Sequence, residues 1–196
     1  TACYFSDVDP VDAADAAVDA APMSHGAGLY SLPHMAAAAR HVVPESGGFD
    51  PAELAALAAG VDRLAMFAAP TMVKRLVAHL EATDADPSGF KTIVYGGGPM
   101  YVEDIRRGLA VMGDRFVQIY GQGESPMTIT ALSRRQLADR GHPRWLERLA
   151  SVGDAQSQVE IRVADERGEP LPDGEIGEVQ VRGDVVMAGY WRDPQA

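Results

Sequence analysis

The chain has 196 residues, of which 46% are hydrophobic, and it carries a formal net charge of −11 with a pI of about 4.8. This length suits one large domain, or one domain with a small second one, and provides enough chain to bury a sizeable core. The acidic surface argues against nucleic acid or an anionic membrane as a partner. No apolar run is close to the length of about 20 residues that a membrane-spanning helix needs, and no secretory signal is visible. Cys3, the single cysteine, cannot form an internal disulfide or a thiolate metal site. We therefore expect a cytoplasmic protein.

The first part of the chain predicts alternating strands and helices. Asp50 is the clearest helix start, because it is followed by Pro51 at the first helical position and by Glu53 three residues after the cap. Apolar residues between 72 and 80 recur at the helical spacing. In chain order we predict a strand over 17–23, a helix over 26–40 bent near Pro33, a strand over 41–44, a helix over 51–60, a strand over 63–67, a helix over 70–81, a strand over 91–95, a helix over 101–112 and a strand over 115–120.

This alternation predicts βαβ units, and hence an α/β fold with a parallel sheet flanked by helices. The pattern changes after about residue 130. Residues 133–149 are charged and predict a helical or irregular connector, whereas residues 158–181 alternate apolar and polar side chains between turns, as in a small antiparallel barrel or sheet. We therefore divide the chain into an α/β subdomain, residues 1–132, which carries the candidate site, and a connector with an antiparallel β portion, residues 133–196.

A glycine-rich loop, Gly96-Gly97-Gly98-Pro99, lies between a predicted strand and a predicted helix. Its free backbone amides and flat surface suit an anion or a planar base. A tight turn that only connects the two elements is an equally good interpretation. The loop is not a P-loop, because no Gly-Lys-Ser/Thr follows it.

A second loop carries a tyrosine and a carboxylate four residues apart, Tyr120 and Glu124, within Gln118–Met127. The tyrosine suits stacking on a base. One carboxylate alone binds Mg²⁺ weakly, so Glu124 is expected to recruit the ion as Mg–ATP. A half-buried strand aromatic and a solvated turn glutamate are the alternatives. Both loops fall at carboxyl ends of predicted strands, where parallel sheets bind ligands.

A third segment, Pro22–Gly28, places His25 at a strand-to-helix junction, where the glycines permit close approach of a ligand. A capping or packed core histidine is the alternative. A fourth segment, 173–191, is interpreted as turns, strands and aromatic packing.

In their order and spacing, the four segments resemble those of AMP-forming acyl-CoA synthetases, members of the adenylate-forming ligase superfamily with the signature Tyr-Gly-x-Thr-Glu. The chain is similar to the central part of their large N-terminal domain. The resemblance implies that a fatty or other carboxylic acid reacts with Mg–ATP to give an acyl-adenylate and pyrophosphate. The acyl group then passes to coenzyme A as a thioester. The implied partners are the small-molecule acid, ATP and CoA.

The resemblance also assigns roles to individual residues. By similarity, His25, Ala27 and Gly98 bind the acid, and Glu124 is the catalytic residue that holds Mg²⁺. The implied nucleotide-binding residues are Gly96, Gly97, Gly98, Tyr120, Gly121 and Gly123. Ala27 stands where other members carry an aromatic residue, which predicts a roomier acyl pocket. Gly123 replaces the signature threonine, and the lost hydroxyl contact would cost about 1.5–3 kcal/mol if nothing replaces it.

Other parts of the family's site lie outside this sequence. The phosphate-binding loop would precede residue 1, and the ribose-binding aspartate, the hinge and the catalytic lysine would follow residue 196. We therefore expect the chain alone to be inactive, and to self-associate through apolar surface that truncation exposes. Two alternatives remain: a non-catalytic nucleotide- or acyl-binding module, and an amino-acid-activating adenylation domain. The latter usually carries an aspartate in the first pocket segment, which here reads Ser24-His25-Gly26, so a plain carboxylic acid is favoured.

Overall fold

The computed structural model describes residues 2–193. The strands of this part of the chain are β1 (Ala16–Val18), β2 (Arg40–Val42), β3 (Leu64–Ala68), β4 (Phe90–Tyr95), β5 (Phe116–Gln122), β6 (Ser125–Leu132), β7 (Asp154–Ala155), β8 (Glu160–Ala164) and β9 (Glu178–Arg182). The helices are a π-helix (Tyr4–Val8), α1 (Gly26–Ala36), α2 (Pro51–Gly60), α3 (Pro70–Thr83), α4 (Val102–Met112), α5 (Arg134–Ala138) and α6 (Trp145–Leu149).

The described residues form a seven-stranded sheet in the order β2-β1-β3-β4-β5-β6-β7 and a separate two-stranded sheet of β8 and β9. The first five strands in this order are parallel, whereas β6 and β7 each pair antiparallel with their neighbour. The β8–β9 pair is antiparallel. The predicted α/β class, with a small antiparallel portion near the end of the chain, is confirmed.

Helices cover both faces of the large sheet, which explains why its central strands are apolar on both sides. Within β4, Ile93 and Tyr95 pack with α2, α3 and α4, while Val94 between them packs with Tyr30 of α1 on the opposite face. The alternation follows from the two-residue period of a strand. Because β1, β3, β4 and β5 are parallel, their carboxyl ends lie at one edge of the sheet, and the loops that follow them lie together there.

The predicted start of α2 is confirmed by its hydrogen bonds. Asp50 Oδ1 accepts the backbone N–H groups of Ala52, at 2.8 Å, and Glu53, at 3.1 Å. These bonds satisfy N–H groups that have no partner within the helix. The Glu53 carboxylate does not reach back to the cap. It accepts backbone N–H groups of Glu45 and Ser46 and so fixes the loop before the helix.

The largest departures from the sequence-based prediction lie in three places. The strand predicted over 17–23 is the shorter β1, and α1 ends at Ala36, because Ala38 adopts a left-handed conformation with φ of 56°. The segment predicted as a loop after Tyr120 is largely a hairpin, since β5 continues to Gln122 and β6 returns beside it. The sequence analysis did not predict β6, because Pro126 and Met127 interrupt the alternation of apolar and polar residues at its start. Met127 has φ of 62°.

The segment predicted as a connector, residues 133–149, forms α5 and α6, and the chain then returns to the large sheet as β7, which pairs with β6. The division of the chain at residue 132 remains a prediction. The terminal residues of the two predicted parts, 1 and 194–196, lie outside the described residues.

A buried ionic cluster lies at the opposite, amino edge of the sheet. Asp15 is fully buried and accepts hydrogen bonds from Lys91 Nζ and Arg63 Nε, both at 2.5 Å. Asp9, also buried, lies 3.1 Å from Lys91 Nζ and accepts a hydrogen bond of 3.0 Å from Arg134. Buried charges are stable only when they are paired in this way. The cluster thus ties residues 9–15 to the start of β4.

None of the helices in residues 2–193 combines the length and the apolar character that a membrane crossing requires.

Candidate nucleotide and metal site

A cavity of about 460 Å³ opens at the carboxyl edge of the sheet. Three segments line it: the loop after β4, the end of β5 and the residues after α6. Its lining residues are Gly97, Gly98, Pro99, Met100, Gln118, Ile119, Tyr120, Gly121, Ala150, Ser151 and Val152. The structure therefore brings together the glycine-rich loop and the tyrosine loop, which lie at the ends of two neighbouring parallel strands.

The three glycines of the loop after β4 differ in whether the backbone or its packing requires glycine. A Cβ on Gly96 would lie 2.6 Å from the backbone oxygen of Ile119, so close packing of β4 on β5 requires glycine there. Gly97 has φ of 78°, which favours glycine. Gly98 has neither constraint, because a Cβ there would meet only Pro70 at 3.9 Å. Neither backbone conformation nor packing accounts for Gly98, which lines the cavity.

Tyr120 is half-buried at the end of β5 and borders the cavity. Its hydroxyl accepts a hydrogen bond of 2.9 Å from Gln122 Nε2. Next to it, the buried Gln118 accepts a hydrogen bond of 3.1 Å from the hydroxyl of Tyr95, which fixes the orientation of the amide. Gln118 opens the segment singled out in the sequence, but it was not predicted as a site residue, because a glutamine within a strand matches no motif.

The β5–β6 hairpin carries the remaining candidate residues. A Cβ on Gly121 would lie 2.2 Å from the backbone nitrogen of Met127, so the tight turn requires this glycine. A Cβ on Gly123 would meet nothing within 4 Å. The position that carries threonine in the signature therefore has room for a side chain, and its glycine is not explained by packing.

Glu124 follows at the tip of the hairpin and is partly exposed. Its Oε1 accepts a hydrogen bond from the hydroxyl of Tyr190, and its backbone oxygen accepts the N–H of Met187 at 2.8 Å. The hydrogen bond from Tyr190 holds the pKa of Glu124 below its usual value, so the carboxylate is charged near neutrality. The same bond raises the pKa of Tyr190. Among residues 2–193 there is no group of three or more His, Cys, Asp or Glu side chains that could hold a metal ion.

A single charged carboxylate at the carboxyl edge of the sheet fits Mg²⁺ that is shared with phosphates, because water and substrate oxygens supply most of the other ligands of this ion.

His25 lies directly before α1 with its side chain exposed, and it makes no side-chain cap bond to the helix. The corner it forms touches the hairpin, because a Cβ on Gly26 would lie 2.5 Å from Met127 Cε and 3.3 Å from the Phe67 ring. His25, the end of β3 and the hairpin therefore meet at the same edge of the sheet. Ala27 is buried, and the space beside it is only about 10 Å³, because Tyr30 and Phe67 fill the region under α1. The roomier acyl pocket predicted from Ala27 remains a prediction.

The predicted residues divide into two groups. Gly97, Gly98, Tyr120 and Gly121 line the cavity, whereas His25, Ala27, Gly96, Gly123 and Glu124 do not. Tyr190 was assigned to aromatic packing from the sequence, and its contact with Glu124 was missed. The available signal was that its Gly-Tyr-Trp segment belongs to the set that carries the family resemblance.

A family model described as AMP-binding enzyme matches residues 1–191. The chain belongs to the AMP-binding enzyme family. The resemblance noted in the four segments is thereby confirmed over almost the whole sequence.

Curated proteins with similar sequences include CoA ligases. Over 182 residues the chain is 32% identical to a feruloyl-CoA synthase of Amycolatopsis. This match covers 92% of this chain and 35% of that protein. It is 29% identical over 173 residues to the medium/long-chain-fatty-acid–CoA ligase FadD8 of Mycobacterium tuberculosis, covering 88% of this chain and 29% of that protein. The chain thus spans about a third of the length of the curated relatives it matches.

Solved structures of other proteins share the fold. The amide bond synthetase McbA of Marinactinospora thermotolerans superposes with a TM-score of 0.83 at 28% identity, covering 98% of this chain and 37% of that one. ATP-bound MatB of Rhodopseudomonas palustris gives a TM-score of 0.78 at 27% identity, covering 99% of this chain and 36% of that one.

Proposed function

We propose that this chain is part of an ATP-dependent, AMP-forming acyl-CoA synthetase and supplies the adenine-binding wall and the metal-binding carboxylate of its site. The observation that carries the proposal is the cavity between the loop after β4 and the end of β5, with Tyr120 and the unconstrained Gly98 on its walls. Family membership and the CoA ligases among the relatives support it.

In this proposal, an adenine ring lies between the Tyr120 ring and the backbone of Gly97 and Gly98. Stacking of a base on an aromatic side chain is worth about 1–3 kcal/mol. Gly98 keeps the opposite wall flat. An oxygen of the substrate carboxylate attacks the α-phosphorus of ATP, the bond to pyrophosphate breaks, and the acyl-adenylate remains. The thiol of CoA then attacks the acyl carbonyl carbon, and AMP leaves.

Glu124 holds magnesium through its charged carboxylate, at the tip of the hairpin that also bears Tyr120. When bound, Mg²⁺ neutralises charge on the phosphates as it develops. His25 and Ala27 border the entry of the acid on the α1 side of the sheet, on either side of Gly26, which lies against Phe67 and the hairpin. The packing of Phe67 and Tyr30 under α1 supports an acid that binds close to the edge of the sheet rather than deep beneath the helix.

The acceptor of the acyl group is the point at which the relatives differ. The curated relatives named above are CoA ligases, and McbA is an amide bond synthetase. We favour CoA, and the amine acceptor is the second candidate.

A cytoplasmic location and self-association also remain predictions. The exposed Leu29, Leu32 and Met35 on α1 are consistent with self-association.

The first test is acid-dependent exchange of labelled pyrophosphate into ATP by the full-length protein that contains this chain. Tyr120→Ala is expected to weaken ATP binding roughly tenfold to a hundredfold, because the stacking surface is lost. Tyr120→Phe serves as the matched control, since it keeps the ring and removes only the hydroxyl bonded to Gln122. Absence of exchange with every acid tried would contradict the proposed activity, and equal ATP binding by both variants would contradict the stacking role.

The second test restores the signature threonine. Gly123→Thr is expected to fold normally, because the position has open space, and to strengthen ATP binding about tenfold, as one added hydrogen bond to a charged group allows. Gly123→Val, of similar shape but without a hydroxyl, is the control and should leave affinity unchanged. Titration of both variants with ATP by calorimetry distinguishes them. Equal affinities would show that the hydroxyl contributes nothing here.

A further inference from the structure

Tyr190 reaches Glu124 across 66 residues of sequence. It follows β9 and belongs to a segment, residues 183–190, that lies along the tip of the β5–β6 hairpin. Two separate contacts fix this arrangement: the N–H of Met187 donates to the backbone oxygen of Glu124 at 2.8 Å, and the Tyr190 hydroxyl donates to Glu124 Oε1. Both the backbone and the side chain of Glu124 are therefore held by the same segment.

The bond to the side chain is selective for one oxygen. It uses Oε1, and no other side chain among residues 2–193 donates a hydrogen bond to Oε2. A glutamate side chain on a partly exposed turn otherwise samples several rotamers, and ordering it has an entropic cost. The Tyr190 bond removes part of that cost before a ligand arrives. The bond leaves the second oxygen of the carboxylate, Oε2, available to coordinate a metal ion.

We infer that Tyr190 is a positioning residue that holds the Glu124 carboxylate so that its second oxygen, Oε2, meets the magnesium of Mg–ATP; this inference rests on the proposed function. Carboxylates that bind metals are commonly oriented by a hydrogen bond from a neighbour, and removing that neighbour typically lowers metal affinity 10–100-fold. Through this bond, the segment after the small sheet contributes to a site built on the large sheet.

A role in packing alone predicts different behaviour. Tyr190 is 49% exposed and the adjacent Trp191 is 88% exposed, so neither side chain is part of a core. Removal of the Tyr190 hydroxyl therefore changes little besides its bond to Glu124. Tyr101 offers a matched comparison, because it is 68% exposed and its hydroxyl makes no hydrogen bond within residues 2–193.

The experiment uses Mn²⁺ as the probe, titrated into the full-length protein saturated with a non-hydrolysable ATP analogue and followed by the electron paramagnetic resonance of free Mn²⁺. Tyr190→Phe is expected to weaken Mn²⁺ binding roughly 10–100-fold, with analogue binding in the absence of metal unchanged. Tyr101→Phe should bind Mn²⁺ as the wild type does. Wild-type affinity in Tyr190→Phe would overturn the inference.

A double-mutant cycle separates positioning from a general structural effect. In the Glu124→Ala background, Tyr190→Phe is expected to have no further effect on Mn²⁺ affinity, because the group it positions is gone. An equal loss in both backgrounds would overturn the inference. Failure of the wild-type protein to bind the analogue with Mn²⁺ would instead contradict the proposed function. If Glu124→Ala lowers Mn²⁺ affinity and Tyr190→Phe does not, the result contradicts the role of Tyr190 and leaves the proposed function intact.

Discussion

Glu124→Ala in the full-length protein is expected to lower acid-dependent pyrophosphate exchange by about 10²–10³-fold while leaving thermal unfolding almost unchanged. The loss follows because metal-mediated neutralisation of the phosphates contributes several kcal/mol to the transition state, and each ~1.4 kcal/mol is a factor of ten in rate. Stability is spared because Glu124 is partly exposed, and substitutions at such positions usually change unfolding by about 0.5 kcal/mol or less.

Two further variants sharpen this experiment. Glu124→Gln keeps the shape and the acceptor for Tyr190 but removes the charge, so it should lose nearly as much activity as the alanine variant. Glu103→Ala removes a glutamate of α4 whose ion pair with Arg106 is exposed, and it should leave exchange unchanged. Full exchange activity in Glu124→Ala would remove Glu124 from the metal site.

Lys91→Met is expected to lower the free energy of unfolding by about 3 kcal/mol, at the lower end of the cost of breaking a buried ion pair. Lys91 is the cation shared by Asp9 and Asp15, both buried, and its removal leaves Arg63 and Arg134 as their remaining partners. Urea unfolding followed by tryptophan fluorescence measures the change. Lys74→Met removes an exposed pair with Asp104 and should cost far less. Equal destabilisation by both variants would contradict a special role for the buried cluster.

The same cluster predicts the direction of the acid dependence. Burial alone would raise the pKa of Asp15, but hydrogen bonds from Lys91, the Asp12 backbone and Arg63 outweigh it and hold the pKa below its ordinary value. The unfolded chain therefore binds more protons than the folded chain between the two pKa values. The stabilisation is present above the unfolded pKa and is lost as the pH falls through the folded one. In Lys91→Met this acid-induced loss should be smaller.

The features that could be predicted from sequence are those with local causes. The cap at Asp50 and the left-handed turn at Gly97 depend on the local backbone, so their patterns specify them. The parallel sheet follows from the alternation of such elements, and it places Gly98 and Tyr120 at one edge.

The features that were missed depend on contacts between distant parts of the chain. Tyr190 meets Glu124 across 66 residues and Lys91 meets Asp15 across 76, and no local pattern encodes either pair. The hairpin strand β6 was hidden for a different reason. Its start contains a proline and a methionine in a left-handed conformation, which break the alternation by which strands are recognised.

The ionic cluster and the ligand cavity lie at opposite ends of the same strands. Lys91 is the second residue of β4 and Gly96 follows its last, so about five residues, or roughly 17 Å of extended backbone, separate the two. Substitutions that far apart with no shared partners usually act additively. Selection, natural or in the laboratory, can therefore retune ligand preference at the carboxyl edge and recover lost stability at the amino edge through independent changes, which makes the sheet an evolvable scaffold.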